Sequence, residues 1–183
     1  MESGIGALLT SSSASGLMET ISAGLSPPEG VYRPGPRTVA VALSLSRNLC
    51  CSPEAKAHLL SHPAMMPALL AHTEGAAEAP RAATFASSAL WALVYSGEKV
   101  KAALRRLPSA HERLTVTQSA IEWQLKEVAR VGGMVAAAGG SGGGGKGSTG
   151  SGGGGGAGEA AHWLTAASVN VAALLGALNS TCK

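Results

Sequence analysis

Ala55-Lys56-Ala57-His58-Leu59-Leu60-Ser61-His62-Pro63 returns forty-five residues later as Val100-Lys101-Ala102-Ala103-Leu104-Arg105-Arg106-Leu107-Pro108. Lys holds the second position in both copies, Leu the fifth, and Pro the last. Proline lacks the amide donor a helix needs and pushes the residue before it out of the helical region. Each copy therefore predicts a short helix with a built-in stop. Upstream, Leu45 and Leu49 match Leu90 and Val94 at the same offset. An offset of this length, built of helices, is the period of armadillo and HEAT arrays.

Working outward, the neighbouring signals are helical too. Ser52-Pro53-Glu54 reads as a helix start, with a hydroxyl N-cap, Pro at the first position and an acid in the first turn. A second helix begins near Pro63 and carries Met65, Met66, Leu69 and Leu70 to a stop at Thr73-Glu74-Gly75. Pro80 opens a third, Arg81–Tyr95, on which Phe85, Ala86, Ala89, Leu90, Leu93 and Val94 form an apolar stripe. Glu98–Leu107 is again short, and a long helix, about 110–131, follows with Leu114, Ile121, Leu125 and Val128 on one face. Before the repeat, Val41, Leu45 and Leu49 recur every four residues, with Val39, Ala42 and Leu43 thickening the stripe, and predict a buried face. Short, medium and long helices in that order are the armadillo arrangement.

Composition agrees. The chain has 183 residues, is 45% hydrophobic with Ala supplying much of that share, and only 3% aromatic. Such material suits thin layers of closely packed helices better than a thick mixed core. Between Gly139 and Gly158, fourteen of twenty positions are Gly, which leaves little to bury and predicts a flexible coil. The expected fold is thus all-α: an armadillo/HEAT-like α-solenoid fragment with a disordered Gly-rich insertion. Its expected divisions are a weakly ordered segment 1–36, helical repeats 37–131, a flexible linker 132–158 and a C-terminal packing helix 159–180. One such unit cannot cover its own apolar face, and about three are needed for stability. One complete unit with partial neighbours is read here, so the expectation is the end of a longer solenoid or an incomplete gene product.

Asn48-Leu49-Cys50-Cys51-Ser52-Pro53 through Lys56, then Ala89-Leu90-Trp91-Ala92-Leu93-Val94-Tyr95-Ser96 and Lys99-Val100-Lys101-Ala102-Ala103-Leu104, resemble the C-terminal end of the rotatin family. His162-Trp163-Leu164, with Leu174-Leu175-Gly176-Ala177-Leu178-Asn179-Ser180, is similar to that family's closing helix. The likeness covers about 40–131 and 160–180, with the glycine tract as an insertion. It implies an armadillo-like scaffold of centrioles and ciliary basal bodies, supporting centriole maturation and cilium assembly. Cytoplasm and cytoskeleton follow as its expected location.

Three motifs invite chemistry. Gly140 and Gly145-Lys146 fit a phosphate loop, but Gly147 stands where a Ser or Thr must bind magnesium. Cys50, Cys51, His58 and His62 hold two thiols and an i, i+4 His pair. Adjacent helical cysteines point about 100° apart, so they are poorly placed to share one tetrahedral zinc; buried thiols and exposed imidazoles are expected instead. No nucleophile elbow, HExxH or paired-carboxylate arrangement is present. No catalysis, cofactor or metal is therefore expected. Three cysteines make no disulfide framework, and the formal charge of +3 gives no reason to invoke nucleic acid. Met1-Glu2-Ser3 lacks the basic start of a signal peptide, and the apolar run 160–178 carries His162, Asn170 and hydroxyls that weaken a membrane reading.

Protein partners remain, with oligomeric state left open. On Arg81–Tyr95, the face bearing Thr84, Ser88, Trp91 and Tyr95 lies beside the buried stripe and is a candidate partner-binding surface with two aromatic anchors. The bland alternative is that Trp91 packs on the next helix. Lys99, Lys101, Arg105 and Arg106 add a basic edge, read either as a solvated face or as an acidic partner's seat. Armadillo proteins of the importin-α kind carry Trp followed four residues later by Asn. Tyr95 stands there in this chain, which argues against nuclear-signal binding. A soluble armadillo-type adaptor in transport or signalling is the alternative to the centriolar scaffold.

Overall fold

A computed structural model describes residues 11–26, 34–95, 97–138 and 155–180. Those residues form eight helices and no strand: α1 (Ser11–Leu25), α2 (Pro36–Leu49), α3 (Pro53–Ser61), α4 (Met65–Glu74), α5 (Pro80–Val94), α6 (Glu98–Arg106), α7 (Ala110–Ala138) and α8 (Gly155–Asn179). The protein is all-α.

Local chemistry sets the boundaries. Pro36, Pro53 and Pro80 open α2, α3 and α5, where a missing amide hydrogen costs nothing. Ser52 caps α3: its Oγ accepts the Ala55 amide at 3.4 Å, and its hydroxyl donates to the Glu54 carboxylate at 2.5 Å. That last bond holds the Glu54 carboxyl below the usual carboxylate range. His62 and Leu107 are extended, with ψ of 112° and 136°, because Pro63 and Pro108 follow them. Hence α3 and α6 begin, and end, forty-five residues apart, and so do the starts of α4 and α7.

The helices pack as two rows. α5 lies between α2 and α8, and α4 between α1 and α7, while α4 rests on α5 and α7 on α8. Leu43, Leu59, Leu69, Leu90, Leu104 and Leu174 are fully buried between these layers, each contributing about 1.5–3 kcal/mol of burial. α5 is enclosed on most sides, and Ala83, Ala86 and Ala89 on it have no exposed surface. Their small side chains let neighbouring backbones come close, so the core needs few aromatics.

Several sequence expectations are corrected. Val41 is 67% exposed and Leu45 sits at the surface, whereas Leu43, Ser46, Leu49 and Cys50 are buried. The buried side of α2 thus keeps Val39, Ala42, Leu43 and Leu49 and turns away from Val41 and Leu45. The match of Leu45 and Leu49 with Leu90 and Val94 shifts accordingly: burial of Ser46, Leu49 and Cys50 repeats in Leu90, Leu93 and Val94, forty-four residues on. Within segment 1–36 a helix, α1, spans Ser11–Leu25, and its Met18, Ile21 and Leu25 join the core. His72 fixes its end, with Nε2 3.0 Å from the Leu25 carbonyl. α7 runs on to Ala138 and α8 starts at Gly155, so helix takes up both ends of the stretch 132–158; its middle lies outside the described residues, as does Cys182.

By length and composition alone, Gly158–Asn179 is apolar enough to cross a membrane. In the fold, Leu164, Ala167, Val171, Leu174 and Leu178 place one side of it in the core against α5 and α7.

Candidate functional site

The open sides of α2, α5 and α8 make one continuous face. Between α2 and α5 lies a groove of about 550 Å³, walled by Arg37, Val41, Ser44, Leu45 and Asn48 on one side and by Arg81 and Phe85 on the other. Between α5 and α8 lies a second, of about 400 Å³, which shares Phe85 and adds Arg47, Ser88, His162, Trp163, Val169 and Asn170.

Aromatic rings fix the centre. Phe85 and Trp163 meet edge to face with centroids 5.7 Å apart. The Arg81 guanidinium carbon lies 5.7 Å from the Phe85 centroid and 5.6 Å from that of Trp163, so both rings attract it. Trp163 is held from its own helix, its Nε1 donating to Glu159 at 3.2 Å. Polar ties join α8 to α5 beneath the face. Thr84 donates to the Trp163 carbonyl at 2.7 Å, and Asn170 Nδ2 donates to Ser88 Oγ at 2.8 Å.

These contacts divide the residues singled out from the sequence. Thr84 is buried and Ser88 half-buried, both engaged by α8. Their side of α5 is where the last helix docks. Trp91 is half-buried against the core and Tyr95 is 75% exposed, with ring centroids 5.6 Å apart. The basic edge is divided too. Lys101 pairs with Glu98 at 2.7 Å, and Arg105 is spent on the carbonyls of Ala177, Leu178 and Ser180. Arg106 is exposed, while Lys99 borders a separate hollow with Cys51, Lys56 and Val100.

Sequence reasoning missed Arg37, Val41, Leu45, Arg81 and His162 as members of one face. The signal was present: Pro36-Arg37 and Pro80-Arg81 open α2 and α5 alike, and Val41 and Phe85 follow each Arg by four. The buried stripe assigned to Val41 and Leu45 concealed it.

Cys50 and Cys51 diverge. Cys50 is buried and its thiol donates to the Ala89 carbonyl at 3.7 Å, while Cys51, expected to be buried, is exposed. Burial pushes the Cys50 thiol up to about 12, a value suited to a core group and not to a nucleophile or ligand. Among the described residues, no three or more His, Cys, Asp or Glu side chains come together to hold a metal ion. The phosphate-loop candidate, Gly140 to Thr149, lies outside the described residues.

No protein-family model, curated protein or solved structure matches the chain.

Proposed function

We propose that this chain is a non-catalytic protein-binding scaffold of armadillo type, rotatin-like, serving centriole and basal-body organisation and cilium assembly. The observation that carries the repeat reading is the return of helix bounds and buried leucines at a fixed interval: α3 and α6, Leu59 and Leu104, the starts of α4 and α7. On this reading α3–α4–α5 and α6–α7–α8 are two units, with α1–α2 the remainder of a third. α2, α5 and α8 then form the ladder of third helices whose open side is the binding face. The glycine tract is an insertion between the second and third helices of the last unit. A face lined by aliphatic, aromatic, arginine, serine and asparagine side chains, with His162 its one imidazole and no carboxylate in either groove lining, favours holding a partner over acid–base work.

The centriolar assignment rests on the likeness of 40–131 and 160–180 to the rotatin tail. Endogenously tagged protein is expected as paired foci at the cilium base; uniform cytosolic or nuclear signal sinks it. The soluble peptide-binding adaptor is the second reading, favoured by the openness of the α2–α5–α8 face. In that case, substitutions on the face abolish partner capture in cells that lack centriolar signal altogether.

A further inference from the structure

We propose that the α2–α5–α8 face takes an extended acidic protein segment, seating an aliphatic side chain between Val41, Leu45 and Phe85 and carboxylates on Arg37 and Arg81. This rests on the stacked-helix reading above and names the partner of that same face.

Charge is the first argument. Arg37, Arg47, Arg81 and His162 border the two grooves, and no Asp or Glu lines either one. Neither α2 nor α5 contains a single acid. Arg37, Arg47 and Arg81 form no ion pair with any described residue. Elsewhere the described arginines Arg105, Arg113 and Arg130 are bonded to carbonyls or carboxylates, while Arg106 is exposed and stands apart from the face. Cations with no carboxylate partner, gathered on one face, select for an anion on the other side.

Register supplies the second. Burial of Ala83, Ala86, Leu90 and Leu93 on α5 repeats in Leu164, Ala167, Val171 and Leu174 on α8 at one constant offset. The same offset places His162 beside Arg81, just as Pro36-Arg37 sets Arg37 against Pro80-Arg81. Arg37, Arg81 and His162 therefore form one row across the three helices. Val41, Phe85 and Ala166 form the next, and Ser44, Ser88 and Val169 the third. A basic row beside an apolar row suits a chain that crosses the helices with acidic and aliphatic side chains on one side. Asn48 and Ser44 are short polar groups at the α2 end of that path and can hydrogen-bond its main chain.

The shape fits as well. The grooves are open and shallow and share Phe85, which suits an extended strand and not an enclosed small molecule. The Phe85 and Trp163 rings, 5.7 and 5.6 Å from the Arg81 guanidinium carbon and 5.7 Å from each other, hold it from one side, so less freedom is lost when it pairs.

The test uses the full chain and three short fluorescein-labelled peptides, alternating Glu-Leu, Lys-Leu and Glu-Ser, read by fluorescence polarisation. The Glu-Leu peptide is expected to bind best, and to weaken as salt rises. Arg37→Glu with Arg81→Gln should weaken it by about tenfold or more, and Val41→Ser should weaken it while leaving helicity unchanged. Equal or better binding of the Lys-Leu peptide, or displacement by a single-stranded oligonucleotide, overturns the acidic-segment proposal. Binding that the Arg37 and Arg81 substitutions leave untouched overturns it too. Hydrogen exchange separates this from the reading beneath it. If α5 and α8 amides are protected yet the Glu-Leu peptide is ignored, the occupant is wrong; if those amides exchange freely, the stack itself is wrong.

Discussion

Arg105 on α6 closes the far end of α8, its Nε donating to the Leu178 carbonyl at 3.1 Å. The same guanidinium reaches the Ala177 and Ser180 carbonyls at 3.1 and 2.7 Å. The last carbonyls of a helix have no partner within it and carry partial negative charge, so a cation there is favourable. Arg105→Ala should lower stability by about 1–2 kcal/mol, read as a lower urea midpoint with unchanged slope. Arg106→Ala, one residue along and exposed, should stay within about 0.5 kcal/mol. Equal effects of the two would mean that Arg105 does not cap α8.

Leu43 and Val41 test which side of α2 faces inward. Leu43 has no exposed surface, and Val41 is 67% exposed. Leu43→Ala should cost about 2–5 kcal/mol, as large-to-small core changes do. Val41→Ala should cost less than about 0.5 kcal/mol. Denaturation of the two variants side by side decides it, and a Val41 penalty as large as that of Leu43 would restore the four-residue stripe.

That stripe shows where the sequence misleads. Residues four apart on a helix advance by more than a full turn, so Val41, Leu45 and Leu49 drift around the cylinder. The inward side keeps Val39, Ala42, Leu43 and Leu49 of the expected stripe, loses Val41 and Leu45, and gains Ser46 and Cys50. Its centre is Ser46, which a hydropathy reading sends to the surface. Ser46 is buried because its hydroxyl donates to the Ala42 carbonyl at 2.8 Å and needs no water. Thr73 and Ser87 are hidden the same way, bonded to the Leu69 and Thr84 carbonyls. The ends of α3 and α6, by contrast, were plain, because Pro63 and Pro108 act through local sterics that need no tertiary context. The α2–α5–α8 face was not plain. It depends on α8 docking over Thr84 and Ser88, a contact across eighty residues that no local pattern specifies.

Glu74 and Arg113 join α4 to α7. Arg113 Nη2 donates to one Glu74 oxygen at 3.0 Å and its Nε to the other, a two-point pairing that a lysine cannot copy. Both side chains are about one-third exposed, so solvent screens part of the attraction. A double-mutant cycle with Glu74→Gln and Arg113→Met should return a coupling of about 0.5–1 kcal/mol. Arg113→Lys should recover less than half of it. A coupling indistinguishable from zero, or full recovery by Lys, would remove this pair as a tie between α4 and α7.

Cys50 and Cys51 are adjacent and should behave as different chemical groups. In a Cys182→Ser background, a thiol reagent should label Cys51 at once and reach Cys50 only on unfolding, since one is exposed and the other buried. Burial is the largest cause of the raised Cys50 value of about 12, with Lys56 opposing it and Cys51 adding to it. The unfolded thiol ionises lower, near pH ~8.5. Below that value Cys50 is neutral in both states and contributes no slope. Above it the unfolded chain gives up its proton while the folded chain keeps it, so unfolding is favoured progressively until about pH 12. Urea midpoints should therefore fall with rising alkalinity in Cys51→Ser with Cys182→Ser. Adding Cys50→Ala should flatten that fall while lowering stability at neutral pH through the cavity it leaves. Rapid labelling of Cys50 in the native protein, or an alkaline fall that survives Cys50→Ala unchanged, would place this thiol outside the core.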